Sequence, residues 1–139
     1  MSAPLQVERY VACTADVAEV WALVGDLSRL EEWTDARLLA APAAWQEGAT
    51  ATIELDGQPA TWQVLTWQAT TWELVATLPT GRFAAGCHVA GEGVRTRLVL
   101  AATLEPAGSR WKARTVEVPL LARRLERWAG AAVAALAAR

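Results

Sequence analysis

The chain has 139 residues, of which 53% are apolar and 20% charged, and its formal net charge is −2. This composition is too apolar for a disordered chain, and the length is sufficient to bury a core. We therefore expect one globular domain over residues 1–139. Charges of both signs are spread along the sequence, which argues against a nucleic-acid-binding protein.

The two ends of the sequence carry no targeting signal that we recognise. The first ten residues, MSAPLQVERY, lack the apolar core of a secretory signal, and the alanine-rich C-terminus is too short to span a bilayer. We expect a cytoplasmic protein with no membrane span.

Cys13 and Cys87 form no CxxC pair and cannot complete a zinc set with the single histidine, His88. We therefore expect reduced thiols, no metal site and no cofactor.

The first predicted element is a strand over Leu5–Cys13, where apolar and polar residues alternate loosely. A short amphipathic helix should follow, because three valines and a tryptophan recur at i, i+3, i+4 and i+7 from Val17. We expect the Thr14 hydroxyl to cap this helix, with Asp16 in its first turn. A second short helix, from about Leu27 to Trp33, should turn its apolar residues inward.

A series of strands occupies the middle of the chain. Alternation is clearest from Ala49 to Leu55, and the Asp56-Gly57 pair that follows is typical of a two-residue hairpin turn. After the two short helices the sequence predicts six strands, at about 37–41, 49–55, 60–68, 72–78, 82–89 and 94–104. Alanine and glycine are frequent among them, and small residues on a concave sheet leave apolar volume for a ligand.

The last predicted element is a helix from Pro119 to Ala138, with Pro119 at its first position. Its apolar stripe consists of residues at three- and four-residue steps: Leu121, Leu125, Trp128, Ala132 and Leu136. The arginines at 123, 124 and 127 fall mostly outside the stripe, and we expect them in water. The element order predicts an α+β fold, in which a seven-stranded curved antiparallel sheet wraps around a long C-terminal helix, with two short helices after the first strand.

The stretch TADVAEVWALVGDLSRLEEW, from Thr14 to Trp33, resembles the SRPBCC or START-like superfamily, which includes the birch-pollen allergen. It is most similar to the polyketide cyclase/dehydrase branch. The shared features are a helix ending in a Val-Trp pair, an Asp-Leu-x-x-Leu-x-x-Trp segment, Gly48-Ala49, Leu65-Thr66-Trp67 and a C-terminal amphipathic helix. The resemblance implies a helix-grip fold with a deep apolar cavity. Members bind or transport lipids, sterols, hormones or quinones, and others cyclise aromatic polyketides or act as co-chaperones.

In such a fold the ligand would contact side chains of the sheet and the long helix. We expect these to be Trp33, Ile53, Trp62, Trp72, Phe83, Cys87, Leu98, Leu100, Leu121, Leu125 and Trp128. The tryptophans favour a flat, aromatic or polycyclic ligand over an acyl chain.

Two residues are candidates for catalysis. His88 is the one side chain that titrates near neutrality without help, and Arg82 could stabilise an enolate if it faced inward. Against this, strand alternation places His88 opposite Phe83 and Cys87, and Arg82 lies beside a turn. The sequence does not decide which face of this strand is concave, and it leaves open whether the protein is an enzyme.

Three hypotheses for the function remain. The first is a binding protein for a hydrophobic small molecule, and the second is a polyketide aromatase/cyclase or dehydratase with an inward Arg or His as acid or base. The third is a protein-interaction module. An inward His88 or Arg82 would favour the enzyme. An apolar cavity lining would favour the binding protein. A cavity filled by tryptophans, together with an exposed apolar patch, would favour the interaction module. Exposed tryptophans such as Trp45 or Trp111 would also favour a homodimer.

Overall fold

A computed structural model describes residues 4–138 of the chain. In chain order the elements are β1 (Leu5–Cys13), α1 (Val17–Val24), a 3₁₀ helix (Leu27–Glu32), β2 (Arg37–Ala40), β3 (Thr50–Leu55), β4 (Gln58–Gln68), β5 (Thr71–Leu78), β6 (Gly81–Glu92), β7 (Arg95–Pro106), α2 (Arg110–Lys112), a π-helical turn (Ala113–Glu117) and α3 (Val118–Ala137). All seven predicted strands are present, within a few residues of the expected bounds.

The strands form a seven-stranded antiparallel sheet in the order β1-β7-β6-β5-β4-β3-β2. From β2 to β7 each strand pairs with the next along the chain, and β1 pairs with β7. The long helix α3 packs against β1, β7 and α1. On β1, Arg9 Nε donates to Glu126 Oε1 of α3 over 2.9 Å. The predicted α+β helix-grip architecture, with a curved sheet around a long C-terminal helix, is confirmed.

The inner face of β6 is the face that carries Phe83 and Cys87. Cys87 is buried and pairs across the sheet with Leu100, which is buried as well. Arg82 and His88 alternate with these residues and are exposed on the outer face. The burial of Cys87 therefore shows that the concave face of β6 is the one with Phe83 and Cys87, which the sequence alone did not decide.

A β-bulge in β4 brings a tryptophan to the inner face. The pairing of β4 with β5 shifts register at Leu65, so the alternation of side chains restarts after that residue. Trp67 consequently pairs with Trp72 and shares its face. Trp67 stacks on Trp45, with 5.9 Å between ring centroids, and its centroid lies 6.3 Å from that of Trp21. The bulge thus assembles a three-tryptophan cluster (Trp21, Trp45 and Trp67) at one end of the sheet.

Aspartates cap both short helices. Asp16 Oδ1 accepts a hydrogen bond from Glu19 N over 2.8 Å, so Asp16 is the N-cap of α1 and the expectation for Thr14 was wrong. Asp26 Oδ1 accepts in the same way from Ser28 N, at 3.1 Å. In each case a carboxylate satisfies backbone N–H groups that have no partner within the helix.

The helical backbone of the C-terminal segment begins before the predicted residue. It starts at Arg110, where Ser109 Oγ accepts from Lys112 N over 3.2 Å, and continues through the π-helical turn into α3. Pro119 lies in the first turn of α3, one residue after the first position of that helix. Because proline lacks an N–H and crowds the carbonyl four residues earlier, a wider π turn accommodates it within a continuous helical path.

Candidate functional site

A small apolar cavity lies between the inner face of the sheet and α3. Its volume is about 40 Å³, far below the roughly 300–1,000 Å³ typical of ligand pockets. Every residue that lines it is apolar: Leu30, Ala36, Ile53, Leu55, Trp62, Trp72, Leu74, Phe83, Ala85 and Trp128. The three indole rings and Phe83 occupy the space that small residues on the sheet would otherwise leave.

The indole N–H groups in this region differ in their hydrogen bonding. Trp72 Nε1 donates to the Val24 carbonyl over 2.8 Å, and Trp128 Nε1 donates to Asp35 Oδ1 over 2.6 Å. Trp62 Nε1 is buried and has no acceptor among residues 4–138. Trp62 packs edge-on against Phe83, with 5.8 Å between centroids. The cavity therefore offers apolar surface alone, and Trp62 Nε1 remains an unpaired donor within the core.

A wider groove opens beside the cavity, between α3 and the ends of several strands. Its volume is about 430 Å³, which falls within the range of small-molecule sites. The groove is lined by Leu55, Asp56, Leu78, Thr80, Phe83, Leu104, Glu117, Leu120, Leu121, Arg124 and Arg127. Leu55 and Phe83 line the cavity as well, so these two side chains separate the groove from the apolar interior.

An ion-pair cluster stands at one end of the groove. Arg124 Nη2 donates to Asp56 Oδ1 at the β3–β4 hairpin and lies 3.5 Å from Asp35 Oδ2. Its guanidinium is also 6.0 Å from the ring centroid of Trp128. The side chain of Arg124 is only 18% exposed, so the expectation that this arginine stays in water was wrong. The cluster ties α3 to two loops at the border of the groove.

The predicted ligand-binding residues divide into three sets. The cavity lining contains Ile53, Trp62, Trp72, Phe83 and Trp128, and the groove lining contains Phe83 and Leu121. The others are buried in the core and line neither space: Trp33, Cys87, Leu98, Leu100 and Leu125. Among these, Trp33 lies behind the cavity, edge-on to Trp128 with 6.3 Å between centroids.

The two candidate catalytic residues lie on the outer face of the sheet. His88 Nδ1 is 2.7 Å from Thr71 Oγ1, and the side chain is exposed. Arg82 pairs across the sheet with Thr77 and Glu105 and is exposed too. His88 borders an open depression of about 490 Å³ on that outer face. Neither residue lines the cavity or the groove.

Both cysteine thiols are buried in the core and unpaired. Burial raises the pKa of the Cys87 thiol far above its ordinary value, and burial raises the pKa of Cys13 in the same direction. The thiols therefore stay protonated at neutral pH and act as small apolar groups. Within residues 4–138, no three His, Cys, Asp or Glu side chains lie close enough together to hold a metal ion.

Sequence patterns gave no signal for several residues of the site. The groove residues Asp56, Leu120, Arg124 and Arg127 come together only through the contact between α3 and the strand ends. The Asp56-Gly57 turn was readable from sequence, but its position beside α3 was not.

No helix in the described part of the chain is long and apolar enough to cross a membrane.

The order of the strands and the position of α3 define a helix-grip protein, and solved structures share this fold. A protein from Arthrobacter aurescens, 21% identical, superposes with a TM-score of 0.74 over 97% of this chain and 87% of that one. Ara h 8.0201, 11% identical, has a TM-score of 0.71 and matches over 99% of this chain and all of its own. DynU16, a protein of the dynemicin biosynthetic locus, is 21% identical with a TM-score of 0.62. That match covers 89% of this chain and 45% of DynU16.

The family follows from the sequence itself. Residues 4–139 match the family model described as polyketide cyclase / dehydrase and lipid transport, so the chain belongs to this family. A comparison with curated proteins found no significant match. Family and fold together support hydrophobic ligand binding or a polyketide cyclase or dehydrase role in general terms.

Proposed function

We propose that the protein binds a hydrophobic small molecule between the curved sheet and α3, in the groove and the cavity behind it. The observation that carries this proposal is that Leu55 and Phe83 line both spaces. A ligand in the groove would rest on these side chains, and a rotation of Phe83 would extend the site inward. Affinity would come from apolar burial, at about 25 cal/mol per Å² before the costs of association.

The interior lining favours a flat ligand. Trp62 and Trp72 offer ring faces and edges on which an aromatic or polycyclic body can pack. Storage or transport of such a molecule in the cytoplasm is the role that this binding would serve.

Binding is better supported than catalysis. A cyclase or dehydratase needs a group that moves protons at the reacting carbon and oxygen atoms. No titratable side chain lines the cavity among the described residues, and both His88 and Arg82 are on the other side of the sheet. The acidic and basic side chains of the site are those at the border of the groove, where Asp56 is paired with Arg124. A catalytic role in this chain draws its support from the family alone.

Titration with the neutral fluorescent compound phenylnaphthylamine tests the proposal. We expect saturable binding at one site per chain. Leu120 and Leu39 make a matched pair of exposed leucines, 56% and 46% accessible, of which only Leu120 lines the groove. Leu120→Glu should weaken binding about tenfold, which corresponds to about 1.4 kcal/mol, and Leu39→Glu should leave it unchanged. Absence of saturable binding, or equal effects of the two variants, would overturn the proposal.

A homodimer is a second proposal, and it rests on Trp111. This side chain is 74% exposed on α2, whereas Trp45 is half-buried against Trp67. Tryptophan is enriched in interfaces, and an isolated exposed ring favours association. Sedimentation at rising concentration should show a dimer that Trp111→Ser abolishes; a monomer at all concentrations would rule this out.

A further inference from the structure

We infer that the ligand is an amphipathic organic anion, with an apolar body and one carboxylate or similar acidic group. This inference rests on the proposed function and adds a charge to the ligand. It is carried by two arginines of α3, Arg124 and Arg127, which line the groove together with several leucines and Phe83.

Arg127 is the first part of the anion site. It lines the groove, and no residue in the described range 4–138 forms an ion pair or hydrogen bond with it. Arg127 lies three residues after Arg124, so the two side chains are neighbours on one helix face. A guanidinium is always charged and presents a fork of N–H donors that matches a carboxylate. Because Arg124 is paired with Asp56 and Asp35, Arg127 is the charge that attracts an acidic group to this end of the groove.

Arg124 retains donors that its partners do not use. Its hydrogen bond and ion pairs to Asp56 and Asp35 all involve Nη2, while Nε is buried without an acceptor among the described residues. The side chain of Asp56 is 65% exposed on its hairpin, so water can hydrate this carboxylate when another acidic group takes its place on Arg124. A ligand carboxylate can therefore share Arg124 or replace Asp56 as its partner.

The opposite end of the groove sets the orientation of the ligand. Glu117 lines that end, ten residues before Arg127 on the helical segment, which is about 15 Å along the axis. Leu120 and Leu121 lie between them. Glu117 repels an acidic group and the arginines attract it, so the acid binds at the arginine end and the apolar body lies over the leucines.

A pair of probes with the same aromatic body isolates the charge. Anilinonaphthalene sulfonate carries an acidic group that phenylnaphthylamine lacks. We expect the sulfonate to bind about tenfold more tightly at low salt, and we expect the difference to shrink as sodium chloride screens the arginines. Equal affinity for the two probes would overturn the inference and leave the proposed function standing. Binding of neither probe would overturn both.

Variants on α3 locate the acidic group. Arg127→Gln should weaken binding of the sulfonate about fivefold and should weaken binding of phenylnaphthylamine by much less. Arg123→Gln is the control, because Arg123 is exposed on the same helix and does not line the groove. Asp56→Asn releases Arg124 and should tighten sulfonate binding about threefold; Asp56 has φ 55°, which asparagine tolerates. If Arg123→Gln weakened the sulfonate as much as Arg127→Gln does, the assignment to the groove would be wrong.

Competition experiments separate two sources of a hydrophobic carboxylate. Dodecanoate represents a fatty acid and anthracene carboxylate an aromatic acid, and each should displace the sulfonate at a lower concentration than dodecanol or anthracene does. Displacement by the aromatic acid alone identifies a flat aromatic acid, and displacement by dodecanoate alone identifies an acyl chain. If the neutral compounds competed as well as the acids, the charge would play no part in binding.

Discussion

Two buried tryptophans allow the contribution of one hydrogen bond to be measured. Trp62 and Trp72 are each 4% exposed, lie on the inner face of the sheet and line the same cavity. Trp72 Nε1 donates to the carbonyl of Val24 at the end of α1, whereas Trp62 Nε1 has no acceptor among residues 4–138. Replacing either by phenylalanine removes the same atoms, so the loss from packing is similar. Only Trp72→Phe leaves a buried carbonyl without its donor, at a cost of about 1–3 kcal/mol.

Urea unfolding of the two variants measures this difference directly. With an m-value of about 2 kcal/mol per M, Trp72→Phe should unfold at a midpoint about 0.5–1.5 M below that of Trp62→Phe, with unchanged slopes. Trp62→Phe also removes a buried unpaired donor, which offsets part of its packing loss. Val94→Ala is the exposed control, since Val94 is 97% accessible, and it should change stability by less than about 0.5 kcal/mol. Equal losses in the two buried variants would refute the assignment of the Trp72–Val24 bond as the link between α1 and β5.

Two further predictions concern the backbone and the thiols. Gly81 has φ 137°, and a Cβ there would overlap the Glu105 carbonyl oxygen, so Gly81→Ala should lower the free energy of unfolding by at least about 2 kcal/mol. Gly93 has φ 62° and open space around it, so Gly93→Ala should lower it by about 1 kcal/mol. Thermal unfolding measures both, and the reverse order would contradict this reasoning. Cys13 and Cys87 should resist a thiol reagent at pH 8 until urea is added. Because burial raises the pKa of the Cys87 thiol, the unfolded chain loses this proton first as the pH rises. The free energy of unfolding should therefore fall above pH 9, by up to about 1.4 kcal/mol per pH unit. That of a Cys87→Ala variant should fall less steeply. Identical pH profiles of the two proteins would show that this thiol is not protected.

Sequence reasoning predicted the fold well because local signals and element order agree. Alternation in β3, the Asp56-Gly57 turn and the stripe of α3 each depend on neighbours in sequence, and the structure has all three. The motif from Thr14 to Trp33 then restricted the possible architectures to one. The site was harder, since it depends on contacts between distant elements.

Three features of the structure could not be predicted from the sequence. Arg124 has the position of a surface residue on a helical wheel, and only the approach of Asp35 and Asp56 makes it a partly buried ion-pair partner. Trp67 reaches the inner face through a bulge at Leu65, which strict alternation does not foresee. The cavity volume was also unpredictable, because it depends on how the side chain of Phe83 packs against Trp62. Each of these features depends on tertiary contacts that local patterns do not encode.

The stacked rings of Trp45 and Trp67 give the protein an optical signature of its own. Their planes are inclined by only 18° and their centroids are 5.9 Å apart, so the excited states of the two indoles are coupled. The circular dichroism of the aromatic bands should contain a couplet from this pair, superimposed on the signals of the other six tryptophans. Since Trp45 belongs to the loop between β2 and β3, the couplet reports whether that loop is docked on the sheet, without any label.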